Sequence, residues 1–342
     1  MDCDGSGKLS ILLFAGVLSV FYAEVLSGAS PYWFVDSFGY IFLLPLYMFH
    51  LIVLYNIAVR YNRLSIRSLY LFGVIFGLYE SWMTKVIWAG FSESEKPIFG
   101  TILGIAIGEF GIITLFWHPV MSFIAPLATI EVLSRHLRGR TSGHWTDCMV
   151  QRNRVRRVIY IMLAMFSSSA LVMGAKSLAG ALFGFLGTLA IIYGLYLFIK
   201  RRNPQVLSLE NLVVGGKALV FMVIYLAIMY LLFFISIRPE DIPSISTIIV
   251  TLLIYLIVAT LIYLDKPVVG PERKNEHFTT SHIKKFNTLV MTLIILFSLI
   301  PEIGFLAMIV IFITLIVFGY IIFIKTTITI IKNRITVQGS KL

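Results

Sequence analysis

Charge and cysteine are both scarce in this chain of 342 residues. Only 13% of the residues are Asp, Glu, Lys or Arg, against about 25% in a soluble domain. The two cysteines, Cys3 and Cys148, supply neither a metal-ligand spacing nor a disulfide framework. Both are assigned to the cytosolic side, where thiols stay reduced. The longest polar pieces, Arg135–Arg157 and Asp265–Lys285, have about twenty residues each, too few for a soluble domain with its own core. No repeat stands out at solenoid periods, and the last five apolar segments do not duplicate the first five. The full GxxxxGK[ST] pattern is missing, so Gly215-Gly216-Lys217 is not a phosphate loop.

What the chain has in abundance is apolar surface. Hydrophobic residues make up 58% and the mean hydropathy is +0.92. Uncharged runs long enough to cross a hydrocarbon core of roughly 30 Å identify an all-α, polytopic helical membrane protein. Ten spans are expected, near 9–27, 39–59, 66–88, 100–118, 158–175, 178–199, 214–237, 244–264, 286–302 and 304–325. They divide into an N-terminal membrane bundle at 1–134, a basic cytosolic loop at 135–157 and a C-terminal apolar bundle at 158–342. Leu26-Ser27-Gly28-Ala29-Ser30 resembles a signal cleavage region, but Asp2 and Asp4 make a poor n-region, so the first run is read as a span.

The net charge of +11 is spread in a way that argues against nucleic acid. With both termini cytosolic, the inner loops and tails hold 23 Lys and Arg and the outer loops hold three. Such asymmetry is the positive-inside pattern of a cell-membrane protein. The partner it implies is the lipid bilayer, with anionic headgroups against Arg135–Arg157 and Lys200–Arg202. A protein partner stays open.

Residues 100–133 are too long for one straight crossing at about 1.5 Å per residue. His118-Pro119 and Pro126 break the run, since proline removes a helical hydrogen bond. One span followed by an interfacial helix at 120–134 is expected, with a re-entrant segment as the alternative.

The ionisable residues within spans concentrate in the first four: Glu24, His50, Glu80, Lys85, Glu109 and His118. Counted from the outer boundary at about 1.5 Å per residue, Glu80 lies about 12 Å deep, Glu109 about 13 Å and His50 about 16 Å. On the same count His118 lies about 27 Å down, near the cytosolic side. Gly73-x-x-x-Gly77 and Gly100-x-x-x-Gly104-x-x-x-Gly108 each end just before a glutamate. Small residues four apart let membrane helices approach closely, so Glu80 and Glu109 are expected to be neighbours. Paired carboxylates in a low-dielectric site can hold and release a proton. A glutamate with a histidine can activate water or bind a divalent metal. Glu80, Glu109 and His118 are therefore the candidate catalytic residues, and His50, Glu80 and Glu109 the candidate metal ligands. No particular cofactor is indicated. Lys85 is five residues from Glu80, on another side of the helix, and is expected to snorkel outward or meet Glu24, Glu93 or Glu95. With Trp82 and Trp88 it forms a set of interfacial anchors.

The spacing Glu80-Ser81-x-x-x-Lys85 resembles the EExxxR signature of the CAAX-protease and bacteriocin-processing family of intramembrane proteins. The resemblance covers roughly residues 70–125 and implies that Glu80 is a water-activating base. Ser81 stands in place of the second glutamate and Lys85 in place of the arginine. Where the family has histidines in FxxxH and HxxxN or HxxxD patterns, Phe110 is followed by Thr114 and His118 by Ser122. AEVLSGASPYWF at Ala23–Phe34, followed by GLYESWMTK, is similar to a group of uncharacterised prokaryotic multi-pass proteins. Three classes follow: a divergent intramembrane hydrolase, a secondary transporter using Glu80 and Glu109 as proton or cation sites, and a non-catalytic accessory or assembly protein.

Overall fold

A computed structural model describes residues 5–91, 96–138, 153–265 and 279–339. Cys3, Cys148, Glu93, Glu95 and most of the basic loop Arg135–Arg157 lie outside the described residues.

The chain is helical almost throughout, as the apolar runs require. A backbone in lipid must satisfy every polar group internally, and a helix does so within one segment. In order, the helices are α1 (Gly5–Val20), α2 (Leu44–Arg60), α3 (Ile66–Met83) and the short α4 (Val86–Ala89). A two-stranded hairpin follows, β1 (Thr101–Ile102) with β2 (Ile105–Ala106). Then come α5 (Ile107–Glu109), a π-helical stretch (Phe110–Ile124) and α6 (Ala125–Arg138). The rest are α7 (Asn153–Ala175), α8 (Leu178–Arg202), α9 (Gly216–Ser236), α10 (Ile245–Leu264), α11 (Thr280–Leu299) and α12 (Pro301–Gly339).

Among the described residues, nine helices are long and apolar enough to cross a membrane. Of the ten segments expected, the one at 66–88 falls short. It is helical only to Met83, and its Arg67, Glu80 and serines lower its hydropathy. The expected break at His118-Pro119 is also corrected. A single helix runs over Ile107–Leu137 with no separate interfacial piece at 120–134. Pro119 sits inside its π-helical part, where wider turns accommodate a residue without an N–H.

Burial differs along the chain. The spans at Gly7–Val25, Gly39–Arg60 and Ile107–Leu137 are 67 to 78% buried, whereas the five from Leu178 onward are only 17 to 28% buried. The exposed side chains of those later helices are overwhelmingly Leu, Ile, Val and Phe, as a lipid-facing surface requires.

The described residues form two compact units. One comprises Met1–Ile52, Ala125–Val214 and Gly270–Phe312. In it α7 packs on α11 through Ser168, whose hydroxyl reaches the Val290 carbonyl at 3.0 Å. Trp33 donates its indole N–H to Thr188 of α8 at 3.1 Å. The other comprises Val53–Ile124, Gly215–Val269 and Ile313–Leu342. There α3 is the central element, packed on the π-helical stretch, on α9 and on α10.

Candidate functional site

The packing of α3 begins with its glycines. A Cβ added at Gly73 would run into the Pro119 backbone, and one at Gly77 would lie 2.9 Å from Thr114 Cα and 3.3 Å from His118 Cβ. Without side chains at these two positions, α3 lies flush against the π-helical stretch. Ser81 and Thr114 seal the contact with a hydroxyl–hydroxyl bond of 3.0 Å. Tyr70 donates its hydroxyl to the Leu115 carbonyl at 2.7 Å, a second bond between α3 and that stretch.

This close approach brings Glu80 to His118. His118 Nε2 lies 3.1 Å from Glu80 Oε2, and its Nδ1 lies 2.8 Å from Ser122 Oγ, one turn further along the same helix. The imidazole is stacked on Phe76, ring centroids 5.3 Å apart and planes at 22°. His118 and Ser122 are buried at 4% and 0% exposure, while the Glu80 side chain keeps 18%. Carboxylate, imidazole and hydroxyl thus form one hydrogen-bonded chain. With Glu80 ionised, Nε2–H donates to it and Nδ1 accepts from Ser122. With the proton on Glu80, the carboxyl donates to Nε2 and Nδ1–H donates to Ser122. The chain can reverse its polarity by moving protons, without moving a side chain.

Glu109 is not where the glycine rows placed it. Gly100 and Gly104 belong to the hairpin, with φ of +76° and +80°, and the helix starts only at Ile107. Glu109 therefore occupies the first turn. Its Oε1 accepts the Ile98 N–H at 3.0 Å, and the side chain is fully buried. Moving the helix start from 100 to 107 also corrects the depth of His118. His118 is eleven residues into the helix rather than eighteen, and with α3 ending at Met83 rather than at 88, Glu80 is three residues from the end of its own helix.

Lys85 does not snorkel. It is fully buried, in a left-handed conformation (φ +61°) that ends α3. Its ammonium donates to the Phe234 carbonyl at 2.6 Å and to the Ile237 carbonyl, at the C-terminal end of α9. It also lies 5.0 Å from the Phe234 ring centroid. A cation there satisfies helix-terminal carbonyls and opposes the helix dipole. Trp82 and Trp88 pack on each other at 5.3 Å, and the buried Trp88 donates to Thr251 at 3.0 Å. His50 is on α2, buried, with Nδ1 2.8 Å from the Leu46 carbonyl. Among the described residues, no group of three or more His, Cys, Asp or Glu could hold a metal ion.

Two buried polar groups at these contacts carry little signal in the sequence. Ser122 was signalled only by its spacing of four from His118. Asp265 gave no signal, lying at the end of an apolar run. It is 2% exposed and accepts the Ser65 and Ser68 hydroxyls, the latter at 2.6 Å, and Arg67 Nε at 3.1 Å. Arg63 donates to the backbone carbonyls of Asp265 and Tyr263. The N-terminus of α3, which carries Glu80, is thereby clamped to the end of α10.

A family model described as an uncharacterized membrane protein family matches residues 12–338. An uncharacterized protein of the archaeon Archaeoglobus fulgidus is 28% identical over 254 residues, covering 73% of this chain and 76% of its own. No solved structure matches.

Proposed function

We propose, from the premise that the chain belongs to the uncharacterized membrane protein family matched over residues 12–338, that it is a secondary transporter whose proton pathway conducts protons even without a co-substrate. Glu80, His118 and Ser122 form its proton relay. The observation that carries this reading is the continuous Glu80–His118–Ser122 hydrogen-bonded chain at 3.1 and 2.8 Å. Ionisable side chains at membrane depth are costly and are retained where they move protons or ions. A proton passes along hydrogen bonds without a cavity, which suits a site whose His118 and Ser122 are buried. Glu80, the member with exposed surface, is the point of proton entry. Both termini lie on the cytosolic side, where the 23 basic residues of the loops and tails meet anionic headgroups.

The full chain in liposomes, with an internal pH dye and a potassium-diffusion potential, tests this. Wild-type protein is expected to admit protons, with Glu80→Gln and His118→Gln each slowing entry by about 100-fold or more, the size of a positioned proton-transfer group. Entry unchanged in both variants, or no wild-type entry above that of empty liposomes, refutes the proposal.

Hydrolysis within the membrane is the second reading, because a carboxylate bonded to an imidazole is also the pair that activates water. Turnover of a membrane-embedded peptide that Glu80→Gln abolishes, with proton entry unaffected, would select it.

A further inference from the structure

The hairpin that replaces the expected start of the fourth span carries its own signal. Its strands pair Thr101 with Ala106 and Ile102 with Ile105, leaving Leu103-Gly104 as a two-residue turn. Both turn residues have positive φ, +52° and +80°. Such turns favour Asn-Gly, and a bulky residue there is conformationally disfavoured. Phe99 repeats the anomaly with φ +64°. Neither Phe99 nor Leu103 is buried in compensation, and their neighbour Ile102 is exposed as well. Phe99, Ile102 and Leu103 are 59, 63 and 74% exposed. At position 103 a backbone conformation that Asn would adopt at lower cost carries an exposed apolar side chain instead.

We propose that Phe99, Ile102 and Leu103 form a lipid-inserted finger that docks in the interfacial layer of the bilayer. The level of the finger supports this. Gly104 seats against Thr247, in the first turn of the spanning helix α10. The adjacent Ile245 and Ile249 of α10 are 77% and 52% exposed. The lipid-facing surface of α10 therefore continues onto the hairpin tip. Two residues per strand extend about 7 Å, within the roughly 5–10 Å to which interfacial apolar groups are buried. Lys96, exposed just before the hairpin, is placed to meet lipid headgroups. The base is rigidly attached to the helix that carries Glu109 and His118. Ile107 N–H donates to the Gly100 carbonyl and Gly108 N–H to the Ile98 carbonyl, each at 3.0 Å.

The test places a nitroxide at Ile102 or Leu103, one at a time, in the full chain with Cys3→Ala and Cys148→Ala, reconstituted in phosphatidylglycerol–phosphatidylcholine vesicles. Collision with oxygen and with a water-soluble nickel chelate is read by power saturation. A label at Leu252, 53% exposed on α10, gives the lipid reference. Oxygen is expected to exceed the chelate at both sites, as at Leu252. With Leu103→Asn added, which relaxes the turn, the Ile102 label is expected to shift toward the chelate while the protein stays folded. Chelate dominating at both sites refutes the finger. Exclusion of both agents, as under a protein partner, or spin–spin broadening from a second copy also refutes it.

Discussion

Replacing Asp265 by Ala removes the acceptor that holds the N-terminal end of α3. Three donors meet its carboxylate: the Ser65 and Ser68 hydroxyls and Arg67 Nε at 3.1 Å. Asp265 is 2% exposed, so the group is paired out of water, whereas Arg67 keeps 24% exposure. Removing one partner of a buried pair costs about 3–5 kcal/mol, because the remaining partner and the hydroxyls lose their acceptor. Arg67 can recover part of its hydration, which puts the expectation near the lower figure, about 3 kcal/mol. Arg67→Ala should cost less, about 1–2 kcal/mol, since Asp265 keeps two hydroxyl donors. Ser65 also caps α3 by accepting the Ser68 N–H at 3.0 Å, so Asp265→Ala should loosen the first turn as well. Equilibrium unfolding in detergent by denaturant titration would measure both variants and their double mutant. In the double mutant the coupling should be about 1–2 kcal/mol and of stabilising sign. A cost below about 1 kcal/mol for Asp265→Ala would show that no buried clamp exists at this position.

Two further substitutions probe the packing at α3 and its C-terminal end. Tyr70→Phe removes the hydroxyl bond to the Leu115 carbonyl and should lower stability by about 1 kcal/mol, near what membrane hydrogen bonds deliver. Thermal unfolding in detergent checks this, and an unchanged midpoint would show that the bond contributes nothing. Lys85→Met leaves the Phe234 and Ile237 carbonyls without their cation and should cost about 1–3 kcal/mol. Because the lysine is buried, that cost should be the same at low and high salt. A cost that vanishes in salt would mark an exposed, screened charge instead.

Much of the architecture was legible in the sequence because the bilayer imposes it: apolar runs of span length can only be helices. The small-residue face of α3 was legible too, since Gly73 and Gly77 mark where a backbone comes close. The helix that packs on that face was legible as well, but the segment of it that α3 meets was misread. Gly100 and Gly104 have the spacing of a packing row, and spacing alone does not reveal that both adopt positive φ in a hairpin. The error propagated along the helix. It counted Glu109 nine residues into the helix instead of in its first turn, and His118 eighteen residues in instead of eleven. Proline at 119 looked like a helix end because one missing N–H normally is one, yet the π-helical stretch carries it through.

The sequence by itself determined that this is an α-helical membrane protein with few ionisable groups inside its spans, and that Glu80 is among the costliest of them. Solvation decides those properties, and solvation is written residue by residue. Tertiary structure alone decided that Glu80 meets His118 and through it Ser122, that Asp265 clamps α3, and that Lys85 turns inward onto carbonyls. Each of these depends on where a helix starts and how it is rotated. Those quantities are fixed by the packing of side chains distant in sequence, to within a fraction of a helical turn.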